Sequence, residues 1–298
     1  MIEFLNFYLI PGFVLGSVYA LGAVGVTLTF GILRFANFAH GETMTLGAFI
    51  ALSLASFSGW HPFAVLPFAM ALTAAAVVGM DRLFFRPLRH RSTIILVISS
   101  FGLMLMVRSL VQLIWGAKLR SFTQGIEIPW VLFDSLRVFP KHVAIVCAAI
   151  GLMLAVHLLL VRTRAGKAMR AMADSPDLAR LTGINTERVI LTTWIVGGGL
   201  AAAAGVFLAY DTHVESQLGF KLLLPIFAAA LLGGIGRPYG AMAGGLVIGL
   251  IEELSTYPWI GSEAVVSPGY KTGIAFAIMV VLLIWRPSGL FRGRVFQS

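Results

Sequence analysis

RTRAGKAMRAMADSPDLARLTGINTER (162–188) is a polar, basic island between two apolar stretches, 142–161 and 189–210. It carries six of the chain's 22 lysines and arginines: Arg162, Arg164, Lys167, Arg170, Arg180 and Arg188. Its punctuation is helical. Ser175 is a good N-cap, with Pro176 at the first helical position. Gly183 can end that helix in a left-handed conformation. Asn185 or Thr186 can then cap the next one. Two short helices and a tight turn are therefore expected on the cytosolic face of a membrane protein. A loop ordered in this way points to a protein partner.

The composition agrees with the apolar flanks. Of 298 residues, 58% are apolar and 12% are charged, against about 25% charged in an average soluble domain. Apolar stretches run at 9–33, 42–59, 62–85, 93–115, 142–161, 189–210, 222–236, 241–255 and 272–285. At about 20 residues per crossing, the chain reads as all-α: one polytopic transmembrane helical bundle over 1–298, with about eight to nine spans. The first segment lacks a basic n-region and a small-residue cleavage site, so it reads as a retained span. Cys147 is the single cysteine, which excludes an internal disulfide. The net charge of +9 is explained by basic residues collecting in cytosolic loops. No aromatic-rich basic motif points to nucleic acid.

The basic residues cluster at Arg82, Arg86, Arg89 and Arg91, in the island, and at Arg286, Arg292 and Arg294. Placing all three clusters inside puts the C-terminus in the cytosol and the N-terminus outside. Loop 116–141, polar and containing Trp130 and Pro140, is then external.

Two places interrupt the apolar pattern. Residues 222–236 and 241–255 are too short to span and flank the Gly-rich break GGIGRPYG (233–240). The second break is RFANFAHGE (34–42), which holds Asn37, His40 and Glu42 within six residues, with Gly41 among them. Irregular backbone survives at membrane depth only under protein cover or beside a wet cavity. The polar groups of 37–42 can contact a solute or one another, or form a surface turn. His40 and Glu42 alone make no metal site, since zinc takes three or four protein ligands. Gly12-x-x-x-Gly16 and Gly245-x-x-x-Gly249 have the spacing that lets helices approach closely. Glu252, Glu253, Asp211, His213 and Glu215 read chiefly as solvated positions near the external interface. Arg108, inside 93–115, needs a partner or must snorkel. There is no phosphate-binding loop, nucleophile elbow or H-E-x-x-H motif, so no catalytic residue is assigned and no enzyme is indicated.

Three segments together resemble a known family. FANFAHGETMTLGAF (35–49) is similar to the signature of the branched-chain amino acid ABC importer permeases. GKAMRAMADSPDLARLTGINTERV (166–189) is similar to their cytosolic loop, and FAAALLGGIGRPYGAMAGGLVIGLIEE (227–253) to their Gly-rich segment. The match runs in order from about residue 10 to 290 and resembles the shorter of the two permease types. Urea, amide and aromatic-acid importers share this type. The resemblance implies a multi-pass protein of the bacterial inner membrane. Its implied partners are two ATPase subunits that use ATP and magnesium, a second and longer permease, and a periplasmic solute-binding protein. The chain itself would hold no cofactor. By the same resemblance, Asn37, His40 and Gly41, with Gly233, Gly234 and Gly236, are candidates for the substrate pathway, and Glu42 joins them by its place in the first break. Gly166, Met169, Met172, Ser175, Leu178, Leu181 and Gly183 form the coupling surface, the two Met and two Leu seated in an ATPase groove. Arg237-Pro238-Tyr239 departs from the small residues expected in the second break. The competing class is a stand-alone secondary transporter or channel, which would need no ATPase and would carry ion-coupling carboxylates in mid-span.

Overall fold

A computed structural model of the chain describes residues 2–122, 128–132, 136–258, 267–285 and 289. The third basic cluster, Arg286, Arg292 and Arg294, lies outside the described residues. Each of the nine apolar stretches is a helix. In chain order these are α1 (Ile10–Leu33), α2 (Ala39–Ser58), α3 (Pro62–Met80), α4 (Thr93–Trp115) and α5 (Pro140–Arg162). Two short helices follow, α6 (Arg164–Asp174) and α7 (Pro176–Leu181). The bundle continues with α8 (Thr186–Asp211), α9 (Leu218–Gly233), α10 (Pro238–Leu254) and α11 (Lys271–Trp285). The loop before α5 adds a small antiparallel pair, β1 (Trp130–Leu132) and β2 (Leu136–Val138), with Trp130 opposite Val138. The sequence pattern did not anticipate it.

Among the described residues, five helices are long and apolar enough to cross a bilayer: Leu5–Leu33, Pro62–Leu88, Thr93–Trp115, Pro140–Arg162 and Thr186–Asp211. The chain is a multi-pass membrane protein. α9 and α10, at 16 and 17 residues, reach about 25 Å at 1.5 Å per residue and fall short of a hydrocarbon core about 30 Å thick. They form a hairpin inside the bundle. α1 and α8 are buried at the centre, while α4 and α5 turn Ile98, Leu113, Ile150 and Leu154 outward, as lipid-facing helices do.

The central helices meet through glycine. Gly12 lies against Leu250, Gly16 against Leu246 and Gly249, and Gly245 against Ala20. The two Gly-x-x-x-Gly segments therefore face each other across an antiparallel α1/α10 contact. A Cβ at Gly249 would overlap the Gly16 backbone, so the pair is as close as two helices can come. Without a hydrophobic driving force between helices in lipid, such close packing is a main source of association.

The ends of the helices sort into two faces. Glu187, at the start of α8, takes ion pairs from Arg89 (2.9 Å) and Arg86 (3.6 Å). The first two basic clusters therefore share one face, with α4 and α5 the two crossings between them. At the opposite ends, Asp211 pairs with Lys141 and His142, and Arg120 bridges to Val214 through backbone hydrogen bonds. One expectation fails here. Glu252 is not a solvated position: it is buried and accepts a 2.6 Å hydrogen bond from the Tyr19 hydroxyl. Glu253 beside it pairs with Lys271.

Overpacking a close helix contact costs about 1–3 kcal/mol or more. Gly249→Leu should therefore lower the stability of the detergent-solubilised protein by at least that amount in a denaturant titration. Gly79→Leu, at a position with open space where a Cβ would stand, should change it little.

Candidate functional site

The first break is buried. α1 ends on Arg34, whose φ of +58° turns the chain back on itself. Residues 36–38 are then pinned to α4: the Ser100 hydroxyl, which donates to Val97 O of its own helix (2.7 Å), accepts from Phe38 N (3.2 Å) and lies 3.3 Å from Ala36 O. Ser100 lies seven residues into α4, about 10 Å from its start, so α2 begins well inside the bundle. Asn37 Oδ1 caps that start by accepting from Ala39 N (3.1 Å). His40 is buried with its ring against Gly25 of α1, where a side chain would collide with it.

Glu42 answers the question of Arg108. Its carboxylate is fully buried, and its Oε1 accepts from Arg108 Nε (2.9 Å) and Nη2 (2.6 Å). The guanidinium also sits 4.4 Å over the ring of Phe220 in α9, a favourable cation–π geometry. Next to this pair the second helix begins. Gly219 N donates to the Thr45 hydroxyl (2.9 Å), Gln112 Nε2 donates to Ser216 Oγ (3.2 Å), and Gly41 and Gly219 touch backbone to backbone. Two helix N-termini, those of α2 and α9, thus converge on one ion pair. Their positive dipole ends favour the Glu42 carboxylate in the first turn of α2.

The Gly-rich break lies elsewhere. Gly233 and Gly240 press backbone against backbone, which closes the α9/α10 hairpin. Gly234 and Gly236 have φ of +91° and +85°, a region that favours glycine. Gly236 stands beside Gly31, at the far end of α1 from Gly12. The Arg237-Pro238-Tyr239 departure has a local reason: Pro238 opens α10, and the Tyr239 hydroxyl bonds to His157 of α5 (2.7 Å). A mostly apolar cavity of about 160 Å³ here is lined by Gly31, Met169, Arg170, Gly236 and Tyr239, among others. Asn37–Glu42 and Gly233–Gly240 are therefore not partners in one cluster. The first meets 216–220 instead, a segment that the sequence pattern did not single out.

The island folds largely as its punctuation predicts. Thr163 caps α6 through Gly166 N (2.9 Å), Gly183 takes φ of +81° after α7, and Asn185 caps α8 through Arg188 N (3.1 Å). Ser175 occupies the N-cap of α7 with its carbonyl bonded to Ala179 N, but its side chain makes no cap hydrogen bond. The expected four-residue apolar seat divides. Met169 and Met172 do share one helical face, but that face is turned into the chain's own core, and Gly166 packs on the backbone of Leu159 and Leu160. Leu178 and Leu181 remain outside, 63% and 83% exposed.

Breaking a buried ion pair by removing one partner costs about 3–5 kcal/mol, because the other charge is left without compensation. In a double-mutant cycle of Glu42→Gln and Arg108→Gln, the double variant should be markedly more stable than the sum of the two losses implies. Additive losses would mean that the two side chains do not act as a pair.

The comparisons with known proteins follow this geometry. The family model described as "Branched-chain amino acid transport system / permease component" matches residues 8–283. The high-affinity branched-chain amino acid transport system permease protein LivH of Escherichia coli (strain K12) is 33% identical over 294 residues, covering 94% of this chain and 92% of that one. BraD of Pseudomonas aeruginosa, described in the same words, is 32% identical over 295 residues, covering 95% and 94%. Among solved structures, PsaBC from Streptococcus pneumoniae in complex with Fab superposes with a TM-score of 0.52 over 96% of this chain and 95% of that one, at 14% identity. That likeness concerns the fold alone. A match in sequence over nearly the whole length, with both breaks and the island inside it, places this chain in the branched-chain amino acid transport permease family.

Proposed function

We propose that this chain is one permease subunit of an ATP-driven importer for amino acids, branched-chain ones first, in the bacterial inner membrane. Two ATPase subunits dock on the basic face and consume ATP with magnesium. A second, longer permease completes the path. A periplasmic binding protein delivers the solute at the opposite face, and the C-terminus lies in the cytosol. The chain itself performs no hydrolysis.

The observation that carries this reading is the construction of the island. Leu178 and Leu181 stand exposed on a short helix, an arrangement costly to maintain without a partner. The helix before it is rooted in the bundle by Met169 and Met172. A push on α7 is thereby carried through α6 to α1, α5 and α8. The cavity between α6 and the Gly-rich break leaves room for that movement. The support for amino acids comes from the relatives' names, with urea, amides and aromatic carboxylates the alternatives within the same importer type.

A stand-alone secondary transporter is the second reading, and Glu42 is what favours it, as a carboxylate inside the bundle. Arg108 already neutralises that carboxylate, which leaves it poorly placed to bind a coupling cation. Proteoliposomes decide between the two. Concentrative leucine uptake should appear only when the ATPase subunits and ATP are present, and uptake by the permease alone would favour the second reading. Leu181→Asp would place a charge in the apolar seat. An unpaired buried charge costs several kcal/mol, so this variant should insert normally yet lose ATPase assembly, or hydrolyse ATP without transport. Normal assembly and normal uptake in Leu181→Asp would remove the docking assignment.

A further inference from the structure

Arg108 is held by only part of its guanidinium. Nε and Nη2 both donate to the single oxygen Oε1 of Glu42. Nη1 makes no hydrogen bond among the described residues, and the side chain keeps 18% of its surface open. A guanidinium offers five donors in a planar fork, so its Nη1/Nη2 end is free to bind a further acceptor. Hydrocarbon supplies none.

The helix faces that flank Arg108 are apolar and come from two helices. On α4, Phe101, Leu105 and Arg108 follow at i, i+4 and i+7, which is one helical face. On α9, Phe220, Leu224 and Phe227 have the same spacing. Phe101, Leu105, Phe220 and Leu224 are exposed. Phe38, from the break before α2, lies between the two faces, with ring centroids 6.4 Å from Phe101 and 5.7 Å from Phe227. The guanidinium reaches across to Phe220. One cation with an unused planar edge therefore sits in a strip of aromatic and aliphatic side chains. At its back a buried carboxylate fixes its orientation.

We propose that Arg108 receives the carboxylate of the transported solute, end-on through Nη1 and Nη2, while the Phe220 side of the strip accepts the solute's apolar part. Glu42 is the positioning residue: it holds the guanidinium side-on so that the free edge faces outward. The ligand class is a monocarboxylate with a small aliphatic or aromatic group. Neutral solutes such as urea or amides offer this edge a single uncharged carbonyl oxygen and bind it more weakly than a carboxylate does. This inference rests on the importer reading and adds a specificity-determining residue to it.

The test uses the permease assembled with its ATPase subunits in nanodiscs, with isovalerate and its neutral isostere isovaleramide as probes at pH 7.5. Isovalerate should raise the unfolding temperature of the wild-type complex at concentrations at least about tenfold lower than isovaleramide, because a site built for a charged hydrogen bond rejects the analogue that lacks it. Arg108→Gln should abolish that preference. Arg108→Lys keeps the charge without the fork and should weaken it. Equal potency of the two probes on the wild type overturns the proposal, even if Arg108→Gln fails to assemble. An isovalerate preference that survives both substitutions overturns it too. Leucine uptake by wild-type proteoliposomes separates this inference from the reading beneath it. Absent uptake with the isovalerate preference intact would remove the amino-acid importer and leave Arg108 as a carboxylate site. Normal uptake with no preference would remove Arg108 alone.

Discussion

The ion pair between Glu42 and Arg108 is the contact on which the interior of this bundle depends. Neither charge is tolerable alone at that depth, since transfer of an isolated ion from water to a medium of low dielectric is very costly. Together, and with two helix N-termini beside them, they hold the point where α2 and α9 begin inside the protein. Three helices are fixed by it. α4 contributes Arg108, α2 contributes Glu42, and α9 brings Phe220 under the guanidinium and Gly219 against Thr45. Replacing a buried ion pair as a whole by well-packed apolar residues of similar volume is often neutral or stabilising. Retaining ions here is better explained by what a half-satisfied guanidinium can bind than by what the pair adds to folding.

Around that point the bundle is assembled by close backbone contact. α1 meets α10 through Gly16, Gly245 and Gly249, and α9 meets α10 through Gly233, Gly240 and Gly244. Surfaces this smooth allow small sliding movements without repacking large side chains. α6 is seated at the end of the same stack, with Met169 lining the cavity beside Gly31 and Gly236. In the proposed importer, displacement of α7 by an ATPase would therefore pass through α6 to α1, α5 and α8, and from α1 to the α9/α10 hairpin packed on it. The hairpin would carry it along α9 to the junction at Gly219.

The fold was almost wholly legible in the chain, because period and length decide it. Nine apolar stretches became nine helices, and Gly183 and Asn185 marked turn and cap where they stand. Facing of the two Gly-x-x-x-Gly segments followed the packing rule for small residues. What was not legible is direction. The i, i+3 spacing of Met169 and Met172 identifies a shared face but not whether it looks toward a partner or into the core; only the path of α1, α5 and α8 settles that. The partner of the first break is hidden in the sequence for a similar reason. Glycine content drew attention to 233–240, whereas the segment that meets Asn37–Glu42 is 216–220, where Ser216, Gly219 and Phe220 carry no conspicuous signature. Arg108 was the available clue: a charge within an apolar span requires a carboxylate, and Glu42 is the one between the first and second spans. Glu252 ends an apolar run and so reads as solvated, yet Tyr19, more than 200 residues away in sequence, covers it.

The central claim is that the Glu42–Arg108 junction lies on a water-filled path rather than against lipid. Thiol accessibility tests it most directly, because Cys147 is the single native cysteine and can be replaced by serine. In that background Phe220→Cys and Ile150→Cys would be exposed to a charged, membrane-impermeant thiol reagent in the assembled importer. Phe220→Cys should label readily, and its labelling should change when the ATPases are trapped with ATP and vanadate. Ile150→Cys, on the outward face of α5, should stay protected by lipid. Equal protection at both positions, in both nucleotide states, would place the junction in the hydrocarbon and refute the path.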